Sequence, residues 1–232
     1  MRLHRFIGTF DVDAAHIDAQ DSGLAHQIAN VFRLRESDEV ILCDGNGRER
    51  TFAIVELGKR QTSFTARGDV RTCPAPRREV TLCAALLRRE NFELVVQKAV
   101  ECGVTRIVPL VTRRTVKQAF RADRLGKIAV EAAEQCGRGF VPAIANTMTL
   151  EEALVVHAGA ATKAFCDFGG MPAAKALQGS GAAVLFIGPE GGWDAEERAL
   201  AERRGCGIAD LGAMTLRGET AAIVAAWLAV NA

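Results

Sequence analysis

The chain has 232 residues, of which 49% are hydrophobic, and its 29 Lys and Arg nearly balance its 28 Asp and Glu. This composition excludes disordered tails, collagen-like repeats and disulfide-rich miniproteins, and it is typical of a soluble globular protein. The seven scattered cysteines contain no Cys-x-x-Cys pair and the four histidines are dispersed, so we expect reduced thiols and no metal site. No apolar run approaches the roughly 20 residues that span a bilayer, and we expect a cytoplasmic protein.

Charge is unevenly distributed along the chain. Residues 73–145 carry 13 Lys and Arg against 7 Asp and Glu, whereas residues 146–232 carry 6 against 10. Arginine predominates in the middle third, which suits bidentate contacts with phosphate. The pattern favours RNA as a partner over the alternative, a solvated surface with ordinary ion pairs. The candidate RNA-binding residues are Arg33, Arg35, Arg88, Arg89, Lys98, Arg113, Arg114, Lys117 and Arg138.

The first seventy residues read as short strands. An apolar run at residues 40–43 leads into the turn Asp-Gly-Asn-Gly at 44–47, and alternating apolar side chains follow at Phe52 and Ile54 and again across residues 62–66. We therefore predict a small β-meander or barrel.

One helix is predicted to pack on this barrel. Residues 24–32 place Leu24, Ile28, Val31 and Phe32 on one helical face. After the barrel, residues 72–78 contain two prolines, which resist both helix and central strand. This predicts two domains, residues 1–72 and residues 73–232.

The second domain alternates apolar strands with helical patterns. The predicted strands are 80–86, 104–111, 164–167 and 182–187, and the predicted helices are 91–102 and 121–136. Gly103 and Gly137 are placed to end the two helices in the left-handed conformation. Alternation of this kind predicts an α/β domain with a mostly parallel sheet covered by helices.

The loop at residues 188–194 follows a strand directly, and parallel sheets bind ligands where loops leave the carboxyl ends of strands. Its glycines permit close backbone approach, although a mere tight turn is the alternative. Asp194 and Glu197 form an Asp version of the capping box for a helix at 195–204. Acidic residues at 190, 194, 196 and 197 disfavour an anion here, so a neutral or cationic ligand fits better.

A second candidate loop, residues 212–220, follows a short strand at 207–211. The helix after it, residues 221–230, is apolar nearly all round, so we expect it to be buried inside the domain or against a second subunit. Two explanations of Arg217 and Glu219 remain open. Glu219 either favours the helix N-terminus and pairs with Arg217, or the two residues are catalytic.

Four ordered motifs, at residues 93–104, 134–138, 188–192 and 216–221, carry a resemblance that spans the whole chain. The sequence is similar to the bacterial 16S ribosomal RNA uridine-N3 methyltransferases of the RsmE type, within the knotted SPOUT methyltransferases. The resemblance implies a PUA-like β-barrel that helps to grip RNA, followed by a deep trefoil knot that holds S-adenosylmethionine. It also implies a homodimer in which the C-terminal helices meet.

The resemblance further implies which residues form the site. The implied cofactor-binding residues are Ile187, Gly188, Pro189, Glu190, Gly191, Gly192, Leu211, Gly212, Leu216 and Arg217. The implied catalytic residues are Arg217 and Glu219, because uracil N3 must lose a proton before it can attack a methyl group. Two alternatives are a knotted methyltransferase acting on another RNA, such as transfer RNA ribose, and a non-catalytic RNA-binding assembly factor.

Overall fold

The computed structural model describes residues 3–115 and 121–232. The chain divides into two compact units, one formed by Met1–Ala75 with Ala133–Val141 and the other by Pro76–Ala132 with Pro142–Ala232. Among the described residues, no helix is long and apolar enough to cross a membrane.

The first unit is built on a five-stranded sheet of order β1-β3-β4-β5-β2. Its elements are β1 (His4–Ile7), β2 (His16–Ala19), α1 (Ser22–His26), β3 (Glu39–Cys43), β4 (Arg48–Leu57) and β5 (Thr62–Thr72). Strands β1 and β3 are parallel and the other pairs are antiparallel. The alternating residues that predicted this sheet form its core, which includes Phe52, Ile54 and Phe64.

The predicted helix at 24–32 differs in its second half. After α1, residues Gln27–Val31 form a π-helical turn, in which the Phe32 N–H donates to the Gln27 carbonyl at 3.0 Å. The wider turn breaks the 3.6-residue period on which the prediction rested. Ile28 is therefore fully buried, whereas Val31 is 59% exposed.

Residues 133–141, which the sequence analysis assigned to the second domain, cluster with the first unit. The Gly47 N–H donates to the Gly139 carbonyl at 2.9 Å, and the ring of Phe140 lies directly over Gly47. The end of a helix therefore belongs to a different unit from its beginning, because contacts distant in sequence determine its place.

The second unit contains a parallel sheet of order β12-β10-β11-β6-β7-β8, with β9 also paired to β7. Its elements are β6 (Val80–Ala85), α2 (Arg89–Cys102), β7 (Arg106–Val111), α3 (Ala122–Cys136), β8 (Ala143–Ile144), β9 (Met148–Thr149), α4 (Leu150–Val156), β10 (Thr162–Pro172), α5 (Ala173–Ala176), β11 (Ala183–Ile187), α6 (Ala195–Arg203), β12 (Gly207–Asp210) and α7 (Gly218–Asn231). Every pairing within this sheet is parallel, which confirms the predicted fold class. The trefoil knot stays a prediction.

Helix α7 is apolar but only partly buried. Ala222, Ala225, Ala226 and Ala229 are buried, and the helix packs on α2, α5, β6 and β11. Trp227, however, is 57% exposed. The small alanine side chains allow one side of α7 to pack closely on the domain. The predicted burial of this helix inside the domain is therefore confirmed for its alanine side and not for the side that carries Trp227.

Arg78 is a buried cation that connects distant parts of the second unit. Its Nη1 donates to the carbonyls of Leu177 at 2.6 Å and Ala229 at 3.1 Å, and its Nε donates to the Gly181 carbonyl at 2.6 Å. Nη2 donates to Thr162 Oγ1 at 2.9 Å. Leu177 caps the end of α5 and Ala229 lies in the last turn of α7, so the guanidinium meets the negative ends of two helices.

Candidate active site

A cavity of about 590 Å³ lies in the second unit, at the carboxyl ends of strands β11 and β12 and next to the middle of β10. Both loops singled out from the sequence contribute to it. Nine of the ten predicted cofactor-binding residues line the cavity: Ile187, Gly188, Pro189, Glu190, Gly192, Leu211, Gly212, Leu216 and Arg217. Gly191 does not line it, and its carbonyl instead accepts a hydrogen bond from Arg114 Nη1 at 2.8 Å.

The loop after β11 is shaped by its glycines. A Cβ at Gly188 would come within 3.1 Å of the Trp193 ring, and Gly192 has a φ of +67°. Trp193 is itself held in place, because its Nε1 donates to the Cys166 carbonyl at 3.1 Å. The backbone at Gly188 therefore lies close to the indole, and a side chain there would require the ring to shift by a few tenths of an ångström.

The acidic residues after this loop face away from the cavity. The predicted capping box is confirmed: the Glu197 N–H donates to Asp194 Oδ1 at 2.8 Å, and the Asp194 N–H donates to Glu197 Oε2 at 3.1 Å. The Glu197 N–H and then Arg113 hold the pKa of Asp194 below its usual value. Arg113 also pairs with Glu196 at 2.5 Å. The sequence predicted that acidic residues at 190, 194, 196 and 197 would disfavour an anionic ligand. Of these four, only Glu190 lines the cavity, so one negative charge of the loop acts there instead of four.

Asp210 connects the start of the second loop to strand β10. Its Oδ1 accepts from the Gly212 N–H and its Oδ2 accepts from the Gly169 N–H, each at 2.9 Å.

At the start of α7, a Cβ on Gly218 would lie 2.8 Å from Leu87 Cδ2. Close packing at Gly218 therefore sets the position of the helix that carries Glu219.

Glu219 lies in the first turn of α7 and lines the cavity, although it is only 8% exposed. Its Oε2 is buried and has no hydrogen-bond partner among the residues that the structure describes. Arg217 is exposed, and within the same described residues it forms no ion pair with Glu219. The expected pairing of Arg217 with Glu219 is therefore wrong.

Several of the candidate RNA-binding cations form bonds within the chain. Arg89 pairs with Glu93, Lys98 with Glu101, and Arg113 with Asp194 and Glu196, while Arg114 donates to the Gly191 carbonyl. Exposed ion pairs are worth only about 0–1 kcal/mol. Phosphate groups can therefore compete for the cations of these pairs.

The other candidate cations have different surroundings. Arg33 and Arg35 are exposed in the first unit, and Arg88 is exposed where it lines the cavity of the second. Arg138 is partly buried, and this burial lowers its pKa. Lys117 lies outside the described residues.

Sequence reasoning missed several residues of the cavity. Asn91, Asp167, Phe168, Asp210 and Met214 also line it. A signal existed for Asp167 and Phe168, which lie at the end of the strand predicted at 164–167. Asp210 lies in the strand predicted at 207–211, and Met214 lies in the candidate loop at 212–220. Within the described residues, no cluster of three or more His, Cys, Asp or Glu side chains is placed to hold a metal ion.

Two family models match this chain. The model of an RNA methyltransferase domain matches residues 74–230, and the model of an RNA methyltransferase PUA domain matches residues 25–64.

Individual relatives are similar over most of the chain. The ribosomal RNA small subunit methyltransferase E of Synechocystis sp. is 32% identical over 86% of this chain and 68% of its own length. The protein of the same name from Bacillus subtilis is 30% identical over 86% of this chain and 84% of its own length. The crystal structure of a ribosomal RNA small subunit methyltransferase E from Neisseria gonorrhoeae, bound to S-adenosyl methionine, is 28% identical. It superposes with a TM-score of 0.88 over 97% of this chain and 95% of that chain.

Proposed function

Because the chain belongs to the ribosomal RNA small subunit methyltransferase E family, we propose that it transfers a methyl group from S-adenosylmethionine to N3 of a uridine in 16S ribosomal RNA. The observation that carries this proposal is the cavity into which two loops and the buried carboxylate of Glu219 converge. Glu219 Oε2 has no hydrogen-bond partner among the described residues, and the N3–H of uracil is a donor that would satisfy it.

The residues of the cavity fit S-adenosylmethionine. Its volume of about 590 Å³ is typical of small-molecule sites. The lining contains more carboxylates than guanidinium groups, and this balance favours a sulfonium cation over a polyphosphate. Apart from Glu219, to which we assign a different role, the carboxylates belong to Asp167, Glu190 and Asp210, and the guanidinium groups belong to Arg88 and Arg217. When bound, this cofactor supplies an electrophilic methyl group.

The side chains at the start of α7 supply the acid–base chemistry. Uracil N3 is a poor nucleophile until its proton leaves, and a positioned base contributes roughly 10²–10⁴ in rate. We assign this role to Glu219, whose buried carboxylate accepts the N3 proton. Arg217 stabilises the negative charge that then spreads to O2 and O4 of the uracil. The cofactor itself is assigned to the loops at residues 187–192 and 211–217.

The proposed function also implies an RNA partner and a cytoplasmic location. The RNA is that of the small ribosomal subunit, so the reaction takes place in the cytoplasm. Residues 1–72, with the exposed Arg33 and Arg35, form the PUA-like domain that helps to grip RNA. Residues 73–232 form the methyltransferase domain, which contains the trefoil knot.

A homodimer completes the proposal. Trp227 on α7 and Leu94 on α2 are 57% and 37% exposed, and these two helices pack against each other. Large aromatic side chains are enriched in protein interfaces, where their burial contributes strongly to affinity. We therefore place the contact between subunits on the exposed side of α7.

Nucleoside mass spectrometry tests the function directly. Small-subunit ribosomal RNA is analysed for N3-methyluridine from cells with the gene, without it, and complemented by the wild-type or the Glu219→Gln gene. We expect the nucleoside to disappear on deletion and to return with the wild-type gene only. Persistence of the nucleoside on deletion contradicts the proposal, and binding of S-adenosylmethionine then separates an enzyme with another RNA target from a non-catalytic RNA-binding factor.

A further inference from the structure

Phe168 is an exposed aromatic residue to which the proposed function gives no role. Its side chain is 49% exposed, and it lines the cavity together with Arg88 and Met214. A phenylalanine in water forgoes the free energy that burial would provide. At the edge of a ligand site, such a ring is available to cover a flat apolar surface.

The backbone around Phe168 is held by side chains from two neighbouring elements. Arg198 Nη1, on α6, donates to Asp167 Oδ2 and to the Phe168 carbonyl, each at 2.9 Å. The Asp210 carboxylate accepts from the Gly169 N–H on one side and the Gly212 N–H on the other.

The strand itself bulges at this point. Gly169 has a φ of +71°, and the register of β10 against β12 shifts between Cys166 and Met171. Bulges re-aim side chains next to active sites. Because the bulge is fixed on both sides, the backbone that carries the ring is already ordered before a ligand arrives, which lowers the entropic cost of binding.

An unstacked nucleobase fits this arrangement. Proteins bind bases removed from a helix by stacking them on aromatic rings, and phenylalanine does so without any hydrogen-bonding group. Arg88, exposed at the same cavity and without an ion pair among the described residues, is placed to contact a neighbouring phosphate. The adenine of the cofactor is the other flat ring in the reaction. Arg88 in the same lining favours the base of the RNA, because that base has neighbouring phosphates whereas S-adenosylmethionine carries none.

We propose that Phe168 stacks on the extruded target uracil and holds it in the cavity that Glu219 also lines. This inference rests on the proposed function, and it makes Phe168 a positioning residue for the RNA substrate.

The test compares Phe168→Ala and Phe168→Trp with Met171→Ala. Met171 is a matched control, since it lies on the same strand, is 48% exposed and is absent from the cavity lining. The substrate is small ribosomal subunits from cells that lack the gene. Cofactor affinity is measured separately by calorimetry without RNA.

We expect Phe168→Ala to raise the KM for the subunit by about 5- to 150-fold, the range that loss of one base–aromatic stack produces. The Kd for S-adenosylmethionine stays unchanged. Phe168→Trp retains the wild-type KM because an aromatic face remains, and Met171→Ala behaves as the wild type.

Three results overturn the inference: an unchanged KM in Phe168→Ala, an equal rise in Met171→Ala, or a weaker Kd for the cofactor with an unchanged KM for the subunit. The last result would place the ring against the cofactor instead. If the wild-type protein forms no N3-methyluridine on these subunits, the proposed function fails and the inference fails with it. If the wild type is active and Phe168→Ala has an unchanged KM for the subunit, the inference about Phe168 is refuted and the proposed function stands.

Discussion

Glu219 and Arg217 are two residues apart and yet differ in environment. The Glu219 carboxylate is buried at the N-terminal turn of α7, where the helix dipole favours a negative charge, while the Arg217 side chain is exposed. A buried carboxylate oxygen without a partner costs free energy in the free protein. A ligand that donates a hydrogen bond recovers that cost, and this is the physical basis for assigning the proton transfer to Glu219.

Glu219→Gln is the variant that isolates this role. The amide keeps the shape of the side chain but is not a base, so we expect turnover to fall by about 10²–10⁴ while the affinity for S-adenosylmethionine is retained. Methylation of small subunits with a radiolabelled donor measures turnover, and calorimetry measures affinity. Glu196→Gln is the control, because its side chain is 74% exposed, pairs with Arg113 and does not line the cavity. Unchanged turnover in Glu219→Gln removes it as the base.

His157 makes the stability depend on pH. Burial lowers the pKa of His157, the positive charge of Arg106 lowers it further, and Nε2 has no hydrogen-bond partner among the described residues. The folded state therefore binds fewer protons than the unfolded state in the pH range just below about 6.5, the ordinary pKa of histidine. The free energy of unfolding contributed by this group is fully present above that range and falls as the pH falls through it.

Urea unfolding at several pH values measures this effect. Between about pH 7.5 and pH 5.5, across the ordinary pKa of histidine, we expect the wild type to lose more stability than His157→Gln, which has no proton to take up. Equal losses in the two proteins contradict the prediction.

At the scale of elements, two glycines of the first unit adopt the left-handed conformation in different surroundings. Gly47 lies in the turn between β3 and β4, and Gly68 lies within β5, where the register against β4 shifts. Gly47 has a φ of +94°, and a Cβ there would lie 2.2 Å from the Phe140 ring. Gly68 has a φ of +64°, and no atom lies within 4 Å of its Cβ position. The first glycine satisfies both a backbone and a packing requirement, and the second satisfies the backbone requirement alone.

Alanine at these two positions separates the requirements. We expect Gly68→Ala to lower the free energy of unfolding by about 1–2 kcal/mol, the cost of a side chain in the left-handed region. Gly47→Ala adds the displacement of Phe140, which costs about 1–3 kcal/mol more. Chemical unfolding of the two variants measures the difference, and equal losses would show that Phe140 moves aside freely.

Local patterns predicted most elements to within a few residues. The helix predicted at 121–136 is observed as Ala122–Cys136, and Gly103 and Gly137 adopt the expected positive φ values of +102° and +85°. Prediction failed where geometry is not periodic, as in the π-helical turn Gln27–Val31. It failed also where distant residues decide, since nothing near Phe140 in sequence indicates that its ring covers Gly47.

The candidate site divides in the same way. The loops at 188–194 and 212–220 were predicted because each follows a strand directly. Asp210 and Phe168 were missed because their roles depend on β10 lying between β11 and β12, an order that the sequence does not display. The exposure of Phe168 and the bridging hydrogen bonds of Asp210 follow from that neighbourhood.

At the scale of the whole molecule, the proposed dimer rests on the apolar helix α7. Its alanine side is buried within the second unit, and Trp227 is left exposed on the other. An exposed tryptophan next to other apolar side chains is a common feature of protein interfaces.

Trp227→Glu tests the proposed dimer. We expect the wild type to sediment as a dimer and the variant as a monomer, because a buried unpaired carboxylate in the interface opposes association. Val156→Glu, which places the same charge on α4 at a position that is 61% exposed, is expected to remain dimeric. A monomeric wild type, or a dimeric Trp227→Glu, would show that the subunits do not meet through this helix.

The hydrogen bonds of Arg78 have a consequence for biosynthesis. Arg78 and the Ala229 carbonyl are separated by 151 positions, and the Leu177 carbonyl by 99. A ribosome makes the chain from its N-terminus, so the guanidinium emerges long before the groups that satisfy it. Burying it earlier would leave a charged group unpaired in an apolar environment. The surroundings of Arg78 are therefore completed only after translation has passed Ala229.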